Sequence, residues 1–160
     1  MKTIRWVFLV GFVVALGGGS SAFAADAKDP SVGTWTLNVA KSKYSPGRAP
    51  KSITRTYSQN AQGTTVKVEG VAADGSPISE QSTYKYDGKD YPFTGSSSFD
   101  TLSVQPGDAR NVTFTLKKQG KVIGTGTRTV SKDGKVLTLS VKLTDAKGTP
   151  VESVAVYDKQ

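Results

Sequence analysis

The sequence predicts an all-β protein, an antiparallel up-and-down barrel of about eight to ten strands made from adjacent hairpins. Three observations carry this expectation. Short runs rich in Thr, Val and Tyr alternate apolar with polar residues, as half-buried strands require. Turn residues separate the runs at Asp74-Gly75, Asp87-Gly88, Pro106 to Asp108, Gln119-Gly120, Asp133-Gly134 and Lys147-Gly148. No long segment carries a helical period. Gly supplies the positive φ that tight hairpins need, and Asp bonds its local backbone. A meander of this length hides its edges by closing on itself. The alternative is a two-sheet β-sandwich from the same hairpins. A membrane barrel would turn an apolar band with aromatic girdles outward, whereas the polar rows here are Thr, Lys and Ser.

The elements follow in order. MKTIRW carries Lys2 and Arg5, VFLVGFVVAL is unbroken apolar sequence, and SAFA ends in small residues. That order is a secretory signal peptide with cleavage after Ala24, and the apolar run falls short of the ~20 residues a membrane span needs. The expected organisation is a signal peptide over 1-24, an N-terminal linker over 25-32 and one barrel domain over 33-160. The mature chain is expected to have no transmembrane segment and to be exported, either periplasmic or extracellular. With no cysteine, neither a lipid anchor at the cleavage site nor a disulfide is expected.

GTWTLN puts Trp35 and Leu37 on one face, and KSITRTYS puts Ile53 and Tyr57 on one row. TTVKVEGV, ISEQSTYKY, DTLSV, NVTFTLKK, KVIGTGTRTV, KVLTLSVKLT and VESVAVY complete the predicted strands. Between the first two lies AKSKYSPGRAP, an irregular Lys/Arg-rich connection in which Pro46 and Pro50 limit regular structure. Gly124 and Gly126 inside IGTGTR predict a bend or bulge at a barrel corner.

Composition excludes much chemistry. With no His and no Cys, there is no Ser-His or Cys-His nucleophile pair and no ordinary zinc set. Ser82-Thr83-Tyr84-Lys85 has S-x-x-K spacing, but on a strand residues i and i+3 point to opposite faces. Among the carboxylates Glu69, Glu80, Asp100 and Glu152, no spacing singles out a catalytic pair. The expectation is no enzyme, no metal and no cofactor. The formal charge is +8; Lys2 and Arg5 lie in the leader, leaving +6. The remaining cations are scattered, with Lys117, Lys118 and Lys121 the one close group, which argues against a nucleic-acid surface.

The arginines are more informative. Strand lysines such as Lys67, Lys85 and Lys142 fall on polar rows, whereas Arg55 lies between Ile53 and Tyr57 and Arg128 shares a row with Val130. Arg110 heads the row of Val112, Phe114 and Leu116, at a strand start that favours the rim. An inward guanidinium without a partner costs several kcal/mol. Packing over an aromatic ring or pairing with Glu80, on the row of Ile78 and Tyr84, is the structural solution. The functional one is an anionic headgroup held in a cavity, with Arg55 and Arg128 as anchors. Aromatic residues fill a small barrel by default; Tyr57, Tyr84 and Phe114 are the candidates for lining a pocket.

GTWTLNVAKSKYSPGRAPKS, YDGKDYPFTGS, GTGTRTVSKDGKVLTL and VAVYDK resemble a family of small, uncharacterised exported bacterial proteins, which implies little chemistry. More distantly the chain resembles the calycin barrels: lipocalins, fatty-acid-binding proteins, avidin-like proteins and small bacterial protease inhibitors. Gly33-Thr34-Trp35 opens the first strand, and the resemblance implies that Arg128 packs across Trp35 to close the barrel base. Fatty-acid-binding proteins end in an Arg-x-Tyr pair that holds a carboxylate. Here the end reads Ala155-Val156-Tyr157, so that site is not carried over.

These readings converge on an exported, non-enzymatic binding module for a small hydrophobic or anionic amphipathic ligand. The alternative is an envelope protein-interaction or inhibitor protein that meets a protein partner through exposed loops, Lys41 to Pro50 foremost. A fully packed interior would exclude the first, and a cavity of roughly 300 Å³ or more would favour it.

Overall fold

The structure, a computed structural model, describes residues 29–108 and 110–160. The predicted signal peptide and cleavage site lie outside these residues. Eleven strands occur in chain order: β1 (Gly33–Leu37), β2 (Lys43–Ser45), β3 (Ser52–Asn60), β4 (Gly63–Val71), β5 (Pro77–Tyr84) and β6 (Asp90–Thr94). β7 (Thr101–Val104), β8 (Asn111–Lys118), β9 (Lys121–Val130), β10 (Val136–Thr144) and β11 (Pro150–Lys159) complete the set. A single 3-10 turn spans Val39–Lys41.

From β3 to β11 each strand pairs antiparallel with the next, and β1 bridges β3 and β11. The bridge turns the sheet into a closed barrel of ten strands, so the sandwich alternative is excluded. β2 continues past the end of β1 along the same edge of β11, with Tyr44 opposite Ser153.

Period-two alternation sets which side chains enter the barrel. Trp35, Ile53, Tyr57, Val66, Val68, Tyr84, Phe93, Leu102, Val112, Leu116, Leu137, Leu139 and Tyr157 are all buried in one core. The predicted turns form as expected of Asp. Asp74, Asp87, Asp108, Asp133 and Asp145 each accept a hydrogen bond from the backbone N–H two residues on. With the Ser76 hydroxyl leading at Asp74, the Ser131 hydroxyl at Asp133 and the Thr149 amide at Asp145, hydrogen bonds hold all five carboxyls below the ordinary aspartate value. Between β8 and β9, Gln119 and Gly120 both take positive φ, 51° and 77°, the geometry of a two-residue type I′ hairpin.

Two elements differ from the sequence reading. The connection after β1 is not irregular throughout: it carries the 3-10 turn and β2. β6 was not predicted, and Pro92 inside it explains why, since proline demotes a strand. A bulge does fall within IGTGTR, as its glycines predict: between the pairs Leu116–Gly124 and Lys117–Val122 the extra residue is Ile123 of β9, beside Gly124. Gly126 instead makes room. A Cβ there would stand 2.4 Å from the Phe114 ring, so this glycine lets the ring lie against the sheet inside the barrel.

Packing also starts earlier than the predicted linker boundary. Asp29 and Ser31 are buried, and the Trp35 indole N–H donates to the Ser31 carbonyl at 2.7 Å. Residues 29–32 therefore belong to the base of the barrel. Gly33 has φ +136°, and a Cβ there would meet Lys159 Cε at 2.9 Å. The Lys159 ammonium lies over the Trp35 ring at 5.0 Å. The Gly-x-Trp step thus works by letting a cation cover the buried indole, and that cation is Lys159, not Arg128.

Candidate functional site

A cavity of about 170 Å³ lies inside the barrel. Its wall is aliphatic at Val66, Leu102 and the β10 row Leu139, Val141 and Leu143, because strands buried on their inner face present aliphatic residues there. Phe93 and Phe99 stack at 4.5 Å between ring centres. Phe99 comes from the connection between β6 and β7, which folds back over the wall. Into this apolar space project three charged side chains, Arg55 of β3, Glu80 of β5 and Arg128 of β9. Arg55, Tyr57, Tyr84, Phe114 and Arg128, the residues proposed from sequence, all line it.

The two inward arginines occupy different situations. Arg128 is 3% exposed, and its terminal nitrogens donate to the Tyr84 hydroxyl at 3.0 Å and the Tyr86 hydroxyl at 2.8 Å. It pairs with Asp29 at 3.5 Å, and its guanidinium stands over the Tyr57 and Tyr86 rings. Burial works against this charge, but the tyrosine oxygens and Asp29 outweigh it and hold the pKa above the ordinary arginine value. Burial likewise pushes the Tyr84 hydroxyl well above its usual range, against the pull of Arg128. Asp29 also accepts from Ser31, Tyr86 and Thr64. Arg128 is therefore an anchor of the barrel base whose donors are committed, save for a buried Nε without a partner among the described residues. The expected Arg128–Trp35 contact is replaced by this network, because Arg128 enters opposite Val112 and Leu139 and reaches across to the end of β5.

Arg55 is half-buried, and its Nε donates to the Tyr157 hydroxyl at 3.1 Å. Its guanidinium also lies over the Tyr157 ring, 5.5 Å from the centroid. Among the described residues, no protein acceptor reaches its two terminal amino groups. Desolvation opposes the charge, but Tyr157, Tyr57 and Glu80 outweigh that and keep it firmly protonated. Glu80 forms no ion pair with it among the described residues. Burial raises the Glu80 pKa above the ordinary glutamate value, while Arg55 and the nearby Ser96 hydroxyl pull the other way.

Tyr44 was missed, because sequence placed it in an exposed connection. As the inward residue of β2 it packs against the core. Burial, and then Tyr157, push its hydroxyl up to about 12, with Arg55 acting against them. The signal available was Tyr44 flanked by Lys43 and Ser45, one period-two step too short to read as a strand. Arg110 stands exposed at the rim and donates to the Ser131 carbonyl at 2.8 Å. The S-x-x-K residues serve the fold: the Ser82 hydroxyl donates to the Pro92 carbonyl at 2.8 Å, and Lys85 is exposed.

A larger depression, about 490 Å³, crosses β8 to β11 and includes Thr113, Thr115, Thr125, Thr127 and Ser140. Its only charged residues among those described are Lys142 and Glu152, which pair with each other at 3.1 Å. The smaller cavity is the one that holds half-buried charges with no ion-pair partner among the described residues.

With this geometry established, solved structures give a clear parallel. The zebrafish ileal bile acid-binding protein, crystallised with cholic acid, superposes over 82% of this chain and 99% of its own, at 15% identity and a TM-score of 0.51. The likeness is one of fold, a closed antiparallel β-barrel. Lobster apocrustacyanin A1 aligns over 83% of this chain and 62% of its own, at 13% identity and a TM-score of 0.41. No family model matches the chain, and no curated protein matches it by sequence.

Proposed function

We propose that the protein is an exported, non-enzymatic binding module that holds one small, largely apolar molecule inside the barrel, with Arg55 as its polar anchor. The observation that carries this reading is the Arg55 guanidinium, which faces a largely apolar cavity with no protein acceptor on its terminal amino groups among the described residues. Planar, bidentate donors suit a carboxylate or similar acceptor, and a half-buried charge gains more from such a partner than an exposed one. Arg128 fulfils no such role, since both its terminal nitrogens are already engaged by Tyr84, Tyr86 and Asp29.

Size narrows the ligand. At about 170 Å³ the cavity is below the ~300–1,000 Å³ usual for small-molecule sites, and cavities of about 150 Å³ take benzene. The occupant is therefore on the scale of one substituted ring. The zebrafish protein, crystallised with cholic acid, is precedent for a small-molecule ligand on this fold, but a four-ring steroid is too large for a cavity of about 170 Å³. Export is part of the proposal and rests on the leader sequence, while the lack of His and Cys supports a non-enzymatic role.

Native mass spectrometry of protein isolated from its own host tests the reading. The expected spectrum contains an adduct of a small organic molecule that is absent from Val141→Phe, in which the cavity is filled. Protein free of any adduct, with no small ring compound able to bind on titration, would overturn it. N-terminal sequencing of the same sample is expected to begin at Ala25.

A further inference from the structure

We infer that Glu80 makes the cavity selective for a dipolar ligand, one that sets an anionic group on Arg55 and an ammonium before Glu80. The inference rests on the binding reading above and names the ligand class.

Register places the two charges. Arg55 of β3 and Glu80 of β5 stand opposite the same residue of β4, Val68. Their backbones are thus separated by two strand spacings, about 10 Å, and both side chains are long enough to meet over Val68. They do not form an ion pair. Instead the bond from Arg55 Nε to Tyr157 draws the guanidinium across β1 toward β11, away from β5. The result is a cation and an anion in one cavity, each half-buried and held apart, with Val68 between them.

The surroundings leave that dipole uncompensated. Arg128 on β9 is committed to Tyr84, Tyr86 and Asp29. Burial holds the Tyr44 and Tyr84 hydroxyls above their usual range, so they add no charge near neutral pH. The β4 neighbour of Glu80 is Val68, β6 contributes Phe93, and the connection to β7 contributes Ser96 and Phe99. Lys67, on the opposite face of β4, is exposed.

Three classes of ligand then differ in cost. A purely apolar molecule strips water from both charges and returns nothing. A simple anion satisfies Arg55 but adds a second negative charge beside Glu80, and like charges in a partly desolvated site repel. A molecule with both charges meets both partners, while its ring packs against Phe93, Phe99 and Leu116.

One carbon skeleton separates these cases. Phenylglycine carries both charges, phenylacetate the anion and benzylamine the cation, and toluene carries none. Calorimetric titration at neutral pH is expected to show phenylglycine, as one enantiomer, binding at least about tenfold tighter than phenylacetate or benzylamine. In Glu80→Gln, with folding verified by circular dichroism, the phenylglycine-to-phenylacetate ratio is expected to collapse to about one. Equal affinities in the wild type, or an undiminished ratio in Glu80→Gln, would overturn the inference. If toluene binds and phenylglycine does not, the dipolar selection fails while the binding reading stands. If all four fail to bind, the binding reading itself falls.

Discussion

Replacing Arg128 with leucine separates the two inward arginines. In the folded protein the pair Arg128–Asp29 is almost wholly out of water, with side chains 4% and 3% exposed and a separation of 3.5 Å. Removing one partner of a buried pair costs about 3–5 kcal/mol, because the other charge stays behind uncompensated. Asp29 keeps bonds from the Ser31 amide and hydroxyl and from Tyr86, which places the expected loss at the lower end, about 3 kcal/mol. For a domain of this size that is a drop of roughly 10–15 °C in Tm. Trp35 is the one tryptophan outside the predicted leader, so its fluorescence reports urea unfolding directly. Asp29→Asn in the Arg128→Leu background is expected to restore part of the loss, as coupled partners are not additive. A variant that unfolds within about 1 kcal/mol of wild type yet no longer holds ligand would refute the assignment of Arg128 to the barrel base.

Other expectations follow from the same contacts. Gly126→Ala places a methyl group 2.4 Å from the Phe114 ring. The ring must move into the cavity, at a cost of about 1–3 kcal/mol for overpacking, and thermal melts and ligand titration should both register the change. The raised pKa of Tyr44 stabilises the fold fully below the ordinary tyrosine value of 10.0, and this contribution is lost as pH rises toward about 12. Tyrosinate absorbance should therefore show a late-ionising tyrosine that disappears in Tyr44→Phe. For Glu80 the folded pKa lies above 4.5, so the wild type gains stability from its protonation as pH falls. Glu80→Gln should be more stable than wild type near neutral pH, and the two unfolding curves should converge below the ordinary glutamate value.

Much of the barrel was legible because local rules agreed with the global fold. Alternation in KSITRTYS and KVLTLSVKLT fixes which residues face inward, and the Asp turns between strands fix where the chain reverses. What escaped was carried by long-range pairing. β2 owes its existence to the edge of β11 left uncovered beyond β1, which no local pattern in KYS announces. The candidate site divides in the same way. Arg55 and Arg128 look alike in sequence, each a cation on an apolar row. They are told apart by Asp29, which sat in a stretch read as linker, and by Tyr157, which reaches Arg55 from the far end of the chain. The Lys41 to Pro50 connection changed most, since Tyr44 turns inward and leaves its lysines outside.

The central claim is that Arg55 anchors a small molecule inside the barrel, and a crystal structure of protein purified from its own host tests it most directly. The account predicts density for a single-ring compound against Phe93 and Phe99, with an acceptor group on the terminal nitrogens of Arg55. An interior closed by repacked side chains, with Arg55 turned out to solvent, would contradict it.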